Sequence, residues 1–481
     1  MRQLLCFLGG LLWAQGYYLL RERQFFVGGA GEQIPTVAIV DEGGQVFIGG
    51  YVLPTKESLP DGWIGAINSA GEVIWQLTPG GMGPDRIEDL YVQDSVVYFC
   101  GASGSALSHP EELPVERRAD FWVGAVEKHT GRLLWQKRWG SPYIDMALSI
   151  CTTPYRTLLV AGVSWEEPAV GMQAVIQVIQ AQTGEVLQMR RWGKAPSLLR
   201  RIRPLPGTSY YACIGEESYK PFVAGVDYLG QVYWRTVFQF HRFPSQLFAL
   251  LPTNAGQIVV GGRYGDRWGV SMLDMQGRVV WEKVWDHSPL KGKVLGLAMG
   301  VDRTIYGVGV QYGYELSVAE QRGGEDVWLA ALSPEGRLLW ERGFGGPQDE
   351  YGMAFLSVGG KEWLLMATKE NRFGDLPTGK DAWGVKLWAV PCDSLPLRGR
   401  TDAISGKEKA GQPIRFWIEG AGGFPIEKVV WDLGNGTFIE EQEITHVYGE
   451  PGFYVVQPIV SLRYGCKEVY LPPIALRITR P

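Results

Sequence analysis

The chain has 481 residues, of which 46% are hydrophobic and 20% are charged, and its formal net charge is −5. This length accommodates one large domain and one smaller domain, and the hydrophobic content is that of a globular protein. A net charge of −5 argues against a nucleic-acid partner, because no basic face is needed to explain the composition.

The first sixteen residues have the composition of a secretory signal peptide. Arg2 supplies a positive charge, Leu4–Trp13 form a short apolar stretch, and Ala14-Gln15-Gly16 offers a small-x-small cleavage site. The stretch is too short to span a bilayer; a buried first strand is the alternative. We predict that residues 1–16 are removed on export, which leaves no integral membrane segment and a secreted, periplasmic or cell-surface protein.

From residue 17 onwards the sequence repeats a unit of four short predicted strands seven times. The clearest copies are DFWVGAVEKHTGRLLWQKRWG, from Asp120, and DRWGVSMLDMQGRVVWEKVWD, from Asp266. Such units at a regular period predict an all-β fold, a seven-bladed β-propeller. In five copies a tryptophan of the last strand follows the turn glycine by four residues: Trp75, Trp135, Trp234, Trp281 and Trp340.

The seventh unit begins at Glu350 and reaches only its third strand, DAWGVKLWAV, from Asp381. Residues 17–29 (YYLLRERQFFVGG) resemble the fourth strand of the sixth unit, RLLWERGFGG, at residues 337–346. We therefore predict a propeller over residues 17–394 whose last blade is completed by residues 17–29, which would remove exposed sheet edges. A disordered N-terminus is the alternative. The inner strands are predicted to start near Pro35, Ile87, Asp145, Leu198, Gln246, Lys293 and Glu350.

The units resemble the β-propeller repeats of secreted bacterial proteins, including the PQQ-like repeat Ala-x-Asp-x-x-Thr-Gly-x-x-x-Trp. AVEKHTGRLLW, at residues 125–135, is the best match. The resemblance implies the fold but leaves scaffolds, adhesins and enzymes open as functions. Quinoprotein dehydrogenases with this repeat usually carry adjacent cysteines and a CxxCH haem motif, and the sequence has neither. We expect no cofactor.

Residues 395–481 carry three different motifs: WDLGNGT from Trp431, THVY from Thr445 and EPGFYVV from Glu450. They resemble the PKD domain, an immunoglobulin-like β-sandwich with the pattern Trp-Asp-Phe-Gly-Asp-Gly, His-Thr-Tyr and Pro-Gly-x-Tyr. The resemblance implies an extracellular spacer or binding module and supports export. The sequence departs from the pattern at Leu433, Asn435 and Val447.

Five cysteines follow the predicted signal peptide, and none forms a CxxC pair. Cys392 and Cys466 flank the C-terminal module and are a possible disulfide in an oxidising compartment, although spacing alone cannot show that their Cβ atoms meet. Cys100, Cys151 and Cys213 lie in apolar strands and are predicted to be core residues. The five histidines form no HExxH pair, so no metal site is predicted.

Long connections between the second and third strands occur in the sixth, seventh, first and second units, which are consecutive around the ring. In a propeller these connections emerge on the same face as the blade-to-blade connections, so they are expected to form a raised arc there. Rigid scaffolds with variable loops commonly bind ligands in this way; solvated insertions without a partner are the alternative. The candidate contacts are Tyr312, Tyr314, Glu315, Arg322, Phe373, Asp375, His109 and Glu111.

No catalytic residue is assigned, because no nucleophile elbow, P-loop or metal-protease motif is present. We predict an exported, non-catalytic binding, adhesion or scaffold protein of the bacterial envelope that docks a protein or glycan on the long-loop face. The alternative is an enzyme, either a polysaccharide-active hydrolase or lyase or a quinone-dependent dehydrogenase, with carboxylates around the axial funnel. The carboxylates considered for that alternative are Asp85, Asp145, Asp349 and Glu350.

Overall fold

The computed structural model contains β-strands and no α-helix in the residues it describes. Close contacts divide the chain into a unit over Arg23–Lys386 and a second unit that includes Leu387–Pro481. The domain boundary predicted between residues 394 and 395 stays a prediction. The described residues are 17–27, 31–55, 58–81, 83–104, 119–166, 169–239, 245–285, 291–312, 325–344, 350–359, 362–373, 376–392, 395–420, 424–463, 465–466 and 468–481.

Seven four-stranded sheets form the blades of a β-propeller, which confirms the predicted fold. Their second strands are rich in β-branched and aromatic residues, which suit sheets covered on both faces; every residue of the second strand of the third blade is buried. The first four blades are β2–β5 (Glu32–Val40, Val46–Leu53, Asp61–Ile67, Val73–Leu77), β6–β9 (Asp85–Gln93, Val96–Ser103, Asp120–Glu127, Leu133–Trp139), β10–β13 (Asp145–Thr152, Thr157–Ser164, Gln173–Gln180, Val186–Trp192) and β14–β17 (Ser197–Pro204, Tyr211–Glu217, Lys220–Val226, Val232–Val237).

The remaining blades complete the ring. The innermost strands of successive blades contact one another, and the innermost strand of the seventh blade contacts that of the first. The outermost strand of the seventh blade comes from the start of the described chain. These blades are β18–β21 (Ser245–Pro252, Gln257–Tyr264, Arg267–Asp274, Val279–Val284), β22–β25 (Lys291–Met299, Ile305–Tyr312, Glu325–Leu332, Leu338–Phe344) and β26–β28 (Glu350–Gly359, Glu362–Phe373, Leu376–Pro391) with β1 (Tyr17–Val27).

Repeated tryptophans of the outer strands join several blades to the next one. The indole Nε1–H of Trp75 donates to the carbonyl of Lys128 at 2.8 Å, and that of Trp135 donates to Ala181 at 3.1 Å. The turn glycine of the following blade packs on the ring, so that a Cβ on Gly131 would stand 2.5 Å from Trp75. The left-handed backbone of Gly131, with φ of 70°, independently favours glycine. The Trp–Gly spacing therefore reflects inter-blade packing.

The C-terminal unit is a small β-sandwich with its own core, built around Trp431, Phe416 and Val460. Cys392 and Cys466 form a disulfide in this unit, with Cα atoms 5.4 Å apart. The Asp432 side chain accepts the N–H of Gly434 at 3.0 Å, so it caps the hairpin turn. The strands are β29–β36: Arg398–Thr401, Pro413–Glu419, Ile426–Asp432, Phe438–Glu440, Glu443–Val447, Gly452–Leu462, Val469–Tyr470 and Ile474–Ile478.

Candidate functional site: the axial channel of the propeller

A β-bulge interrupts the innermost strand of every blade at the same position. In each case two residues of the inner strand face one residue of its neighbour, so the extra residue leaves the regular alternation. All seven extra residues line one cavity of about 800 Å³, which we call the axial channel. The seven bulge residues, in blade order, are Thr36, Glu88, Leu148, Arg200, Phe248, Leu295 and Met353.

Charged residues of the described channel lining all belong to blades 2 and 4, and we call them the charged wall. Blades 5, 6 and 7 contribute uncharged and mostly apolar residues to the described lining, and we call that side the apolar wall. The charged wall consists of Arg86, Glu88, Asp89, Arg200, Arg201 and Arg203. The bulge residues of the apolar wall are Phe248, Leu295 and Met353.

The firmest contact of the charged wall is a two-pronged ion pair between Arg203 and Asp89. The Arg203 Nη1 and Nη2 atoms lie 2.7 and 2.8 Å from the two carboxylate oxygens of Asp89, which is fully buried. Ser149 of blade 3 donates to the same carboxylate at 2.5 Å and accepts from Arg203 at 2.9 Å. This network joins blades 2, 3 and 4 and fixes the arginine in place.

Two further arginines of the charged wall also have carboxylate partners. Arg86 Nε lies 2.7 Å from Glu88 Oε1, and Arg200 Nη2 lies 2.9 Å from Oε1 of Glu216 on β15. Aromatic rings flank both cations, since the Arg86 guanidinium lies 5.4 Å from the Tyr51 ring centre and that of Arg200 lies 4.8 Å from the Phe248 ring centre. Stacking of this kind holds a guanidinium in one orientation.

Arg201 differs from the other three arginines because its hydrogen bonds go to backbone carbonyls. Its Nη1 donates to the carbonyl of Leu148 at 2.8 Å and to that of Arg200 at 3.1 Å. Asp89 and Glu88 act on it only through space, and burial lowers the pKa of its guanidinium. Arginine nevertheless stays protonated in proteins. The charged wall therefore holds three carboxylate-paired arginines and one cation without a bonded carboxylate.

The two adjacent acids of blade 2 have pKa values shifted in opposite directions. Burial raises the pKa of Glu88, and Arg86, Arg201 and Arg200 compensate only in part. Burial also acts to raise the pKa of Asp89, but the charge and hydrogen bonds of Arg203 outweigh it, so the pKa falls below its ordinary value. Asp89 is thus a fixed anion, whereas Glu88 holds a proton more readily than an exposed glutamate.

The predicted contacts on the loop arc cannot be placed. His109, Glu111, Tyr314, Glu315, Arg322 and Asp375 lie outside the described residues, and for Tyr312 and Phe373 only the strand backbone is described. The arc therefore remains a prediction. Two of these connections follow β7 and β23, whose ends lie beside the starts of β6 and β22. Arg86 lies at the start of β6, so it is on the same face of the propeller as the ends of these strands.

The carboxylates considered for an enzyme occupy a different place from the one expected. Asp85 and Asp145 are fully buried at the blade boundaries, where they accept backbone N–H groups of Gly81 and Ser141. Glu350 is also fully buried. These three are absent from the described channel lining, and Asp349 lies outside the described residues. The described carboxylates that do line the channel are Glu88 and Asp89.

Sequence reasoning missed the charged wall, although one signal was available. The predicted inner strand of the fourth unit, LLRRIRP, carries three arginines within four residues, which is unusual for a strand at the crowded centre of a propeller. The bulges have no comparable signal. They shift which residues face the channel, so alternation alone could not assign Arg200 and Arg201 to the wall.

Comparisons with known proteins agree with the fold. Residues 403–467 match the PKD domain family, and no curated protein matches the chain. A streptogramin B lyase structure is similar with a TM-score of 0.50 and 11% identity, over 77% of this chain and 98% of that one. Quinohemoprotein alcohol dehydrogenase ADHIIG from Pseudomonas putida HK5 is similar with a TM-score of 0.41 and 12% identity, over 72% of this chain and only 65% of its own.

At 11% identity the lyase structure indicates the fold alone. No helix in the described part of the chain has the length and hydropathy needed to cross a membrane. The repeated sheets, the closed ring and the PKD match lead to one conclusion. The chain is a seven-bladed β-propeller followed by a PKD domain.

Proposed function

We propose that this protein is an exported binding protein of the bacterial envelope and that its propeller takes an anionic ligand in the axial channel. The observation that carries the proposal is Arg201, a channel-lining cation whose hydrogen bonds go to carbonyls instead of a carboxylate. A cation in a partly dehydrated cavity attracts an anion more strongly than one on an open surface. The PKD domain, a module typical of extracellular proteins, supports the export part of the proposal.

Docking of a protein or glycan on the long-loop arc is compatible with this proposal and stays part of it. β7 and β23, the strands before two of these connections, end on the face where Arg86 lies, so a partner seated on that face would also cover the channel mouth. The PKD domain would then act as a spacer or as a second contact.

Titration calorimetry of the mature chain with sodium glucuronate, a compact carboxylate, tests anion binding in the channel. We expect saturable binding that Arg201→Gln weakens at least tenfold. Arg278→Gln is the matched control, because Arg278 is an exposed arginine in a turn, paired with Asp274. Unchanged binding by Arg201→Gln, with its melting temperature preserved, would contradict the proposal.

An enzyme remains the second candidate, on one specific observation. Glu88 lies in the channel lining beside Arg86, and its pKa is raised by burial. A glutamate poised in this way in a cleft is suited to donate a proton. If the protein is a hydrolase or lyase, Glu88→Gln should abolish turnover of a polysaccharide panel while anion binding persists. Equal turnover by the variant would remove Glu88 from that role.

A further inference from the structure

The two walls of the axial channel differ at equivalent positions. Where blade 2 has Glu88 and blade 4 has Arg200, blades 5, 6 and 7 have Phe248, Leu295 and Met353. The backbone is the same at each place, so the bulge itself accepts charged and apolar side chains alike. The apolar residues are therefore not required by the repeat.

The apolar wall is only partly covered by the protein itself. Phe248, Leu295 and Met353 are each partly exposed, and Leu251 and Leu356 extend the same surface along the channel. Water against such a surface is unfavourable in proportion to its area. A ligand with an apolar body would displace that water, whereas a sugar acid would leave it in place.

The charged wall sets the number of charges that the ligand carries. Arg86, Arg200 and Arg203 each have a carboxylate partner, so Arg201 is the one described guanidinium of the wall that lacks a bonded carboxylate. Lys293 Nζ also lies 5.8 Å from the Phe248 ring centre, but Lys293 is not part of the described channel lining. Within that lining, one uncompensated cation matches a single anionic group. Arg200 stacks on Phe248 at 4.8 Å, so the charged and apolar walls meet at this pair.

We infer that the axial channel binds an amphiphilic monoanion, with its anionic group at Arg201 and its apolar body against Phe248, Leu295 and Met353. This inference rests on the proposed anion binding and adds the apolar body. The cavity of about 800 Å³ lies within the range of small-molecule sites, so a medium-chain carboxylate fits by volume.

Calorimetry with four probes tests the inference: decanoate below its micelle concentration, hexanoate, decanol below its solubility limit, and glucuronate. We expect decanoate to bind at least tenfold more tightly than decanol or glucuronate, and hexanoate to bind at least tenfold more weakly than decanoate. Arg201→Gln should weaken decanoate and leave decanol unchanged. Leu295→Gln should weaken decanoate and leave glucuronate unchanged.

Val280→Gln is the matched control for the apolar substitution, because Val280 is exposed on an outer strand; decanoate affinity should not change. If glucuronate binds as tightly as decanoate, the apolar body is wrong while anion binding stands. If decanol binds as tightly as decanoate and Arg201→Gln has no effect, the anionic group is wrong and the proposed function falls with it. Binding by none of the four probes would reject both the inference and the proposed function.

Discussion

The two walls of the axial channel have the same backbone bulge in each blade but differ in the charge and polarity of their side chains. In the charged wall, an ion-pair and hydrogen-bond network links blades 2, 3 and 4 through Asp89, Ser149 and Arg203. The apolar wall presents Leu295 and Met353 at the corresponding bulges. The repeat therefore determines which positions face the channel, whereas the residue type at each position can vary with the ligand that is bound.

Removing Asp89 from the charged wall should lower the free energy of unfolding more than any bulge substitution on the apolar wall. Asp89→Ala leaves the partly buried Arg203 without its carboxylate, and breaking a buried pair costs up to about 3–5 kcal/mol of unfolding free energy. Denaturant unfolding measures the loss. The double variant Asp89→Leu with Arg203→Met should be more stable than Asp89→Ala, because no charge is left unpaired. A loss below about 1 kcal/mol would mean that the ion pair is not formed in solution.

The contributions of Glu88 and Asp89 to folding stability should change with pH in opposite directions. The folded pKa of Asp89 is lowered, so its contribution to stability is present above about pH 3.9, its ordinary value, and is lost as the pH falls through the folded pKa. The folded pKa of Glu88 is raised, so its contribution is present below about pH 4.3 and is lost as the pH rises through the folded value.

Melting curves between pH 2.5 and 8 therefore separate the two acids. The melting-temperature gap between the wild-type chain and Asp89→Asn should close at the acid end. Relative to the wild-type chain, Glu88→Gln should gain stability towards neutral pH. Parallel curves for either variant would contradict the corresponding pKa direction.

Exchanging bulge residues between the walls should have the smallest effect on stability. In Arg200→Leu with Leu295→Arg, both side chains stay at partly exposed bulges, but the buried Glu216 loses its arginine and keeps, among the described residues, only the amide of Gln246 as a donor. We expect a loss of about 1–3 kcal/mol of unfolding free energy, with decanoate binding impaired. Failure of the exchanged variant to fold would show that the blades do constrain their bulge residues.

The sequence was sufficient for the repeat and not for the channel. The Trp75 ring packs on the turn glycine Gly131, and the same kind of contact recurs between other blades, so the Trp and Gly positions repeat along the sequence. The wall depends instead on pairs such as Asp89 with Arg203, which lie far apart in the chain and occur only once. A contact that is made once has no period, so the repeat could not predict which residues pair, although the three arginines at residues 200–203 did mark the strand. The burial of Asp85 and Asp145 at blade boundaries was likewise hidden, because an acid at a strand start is also a common turn residue.

The pairing of β1 with β28 has a consequence for how the molecule is made. β1 is synthesised first and can pair with β28 only after β28 has been made, so the seventh blade forms only after the whole propeller has been synthesised. Contacts between such distant segments are slow to form. Until they do, the open chain displays unpaired strand edges, which are prone to pair with other chains.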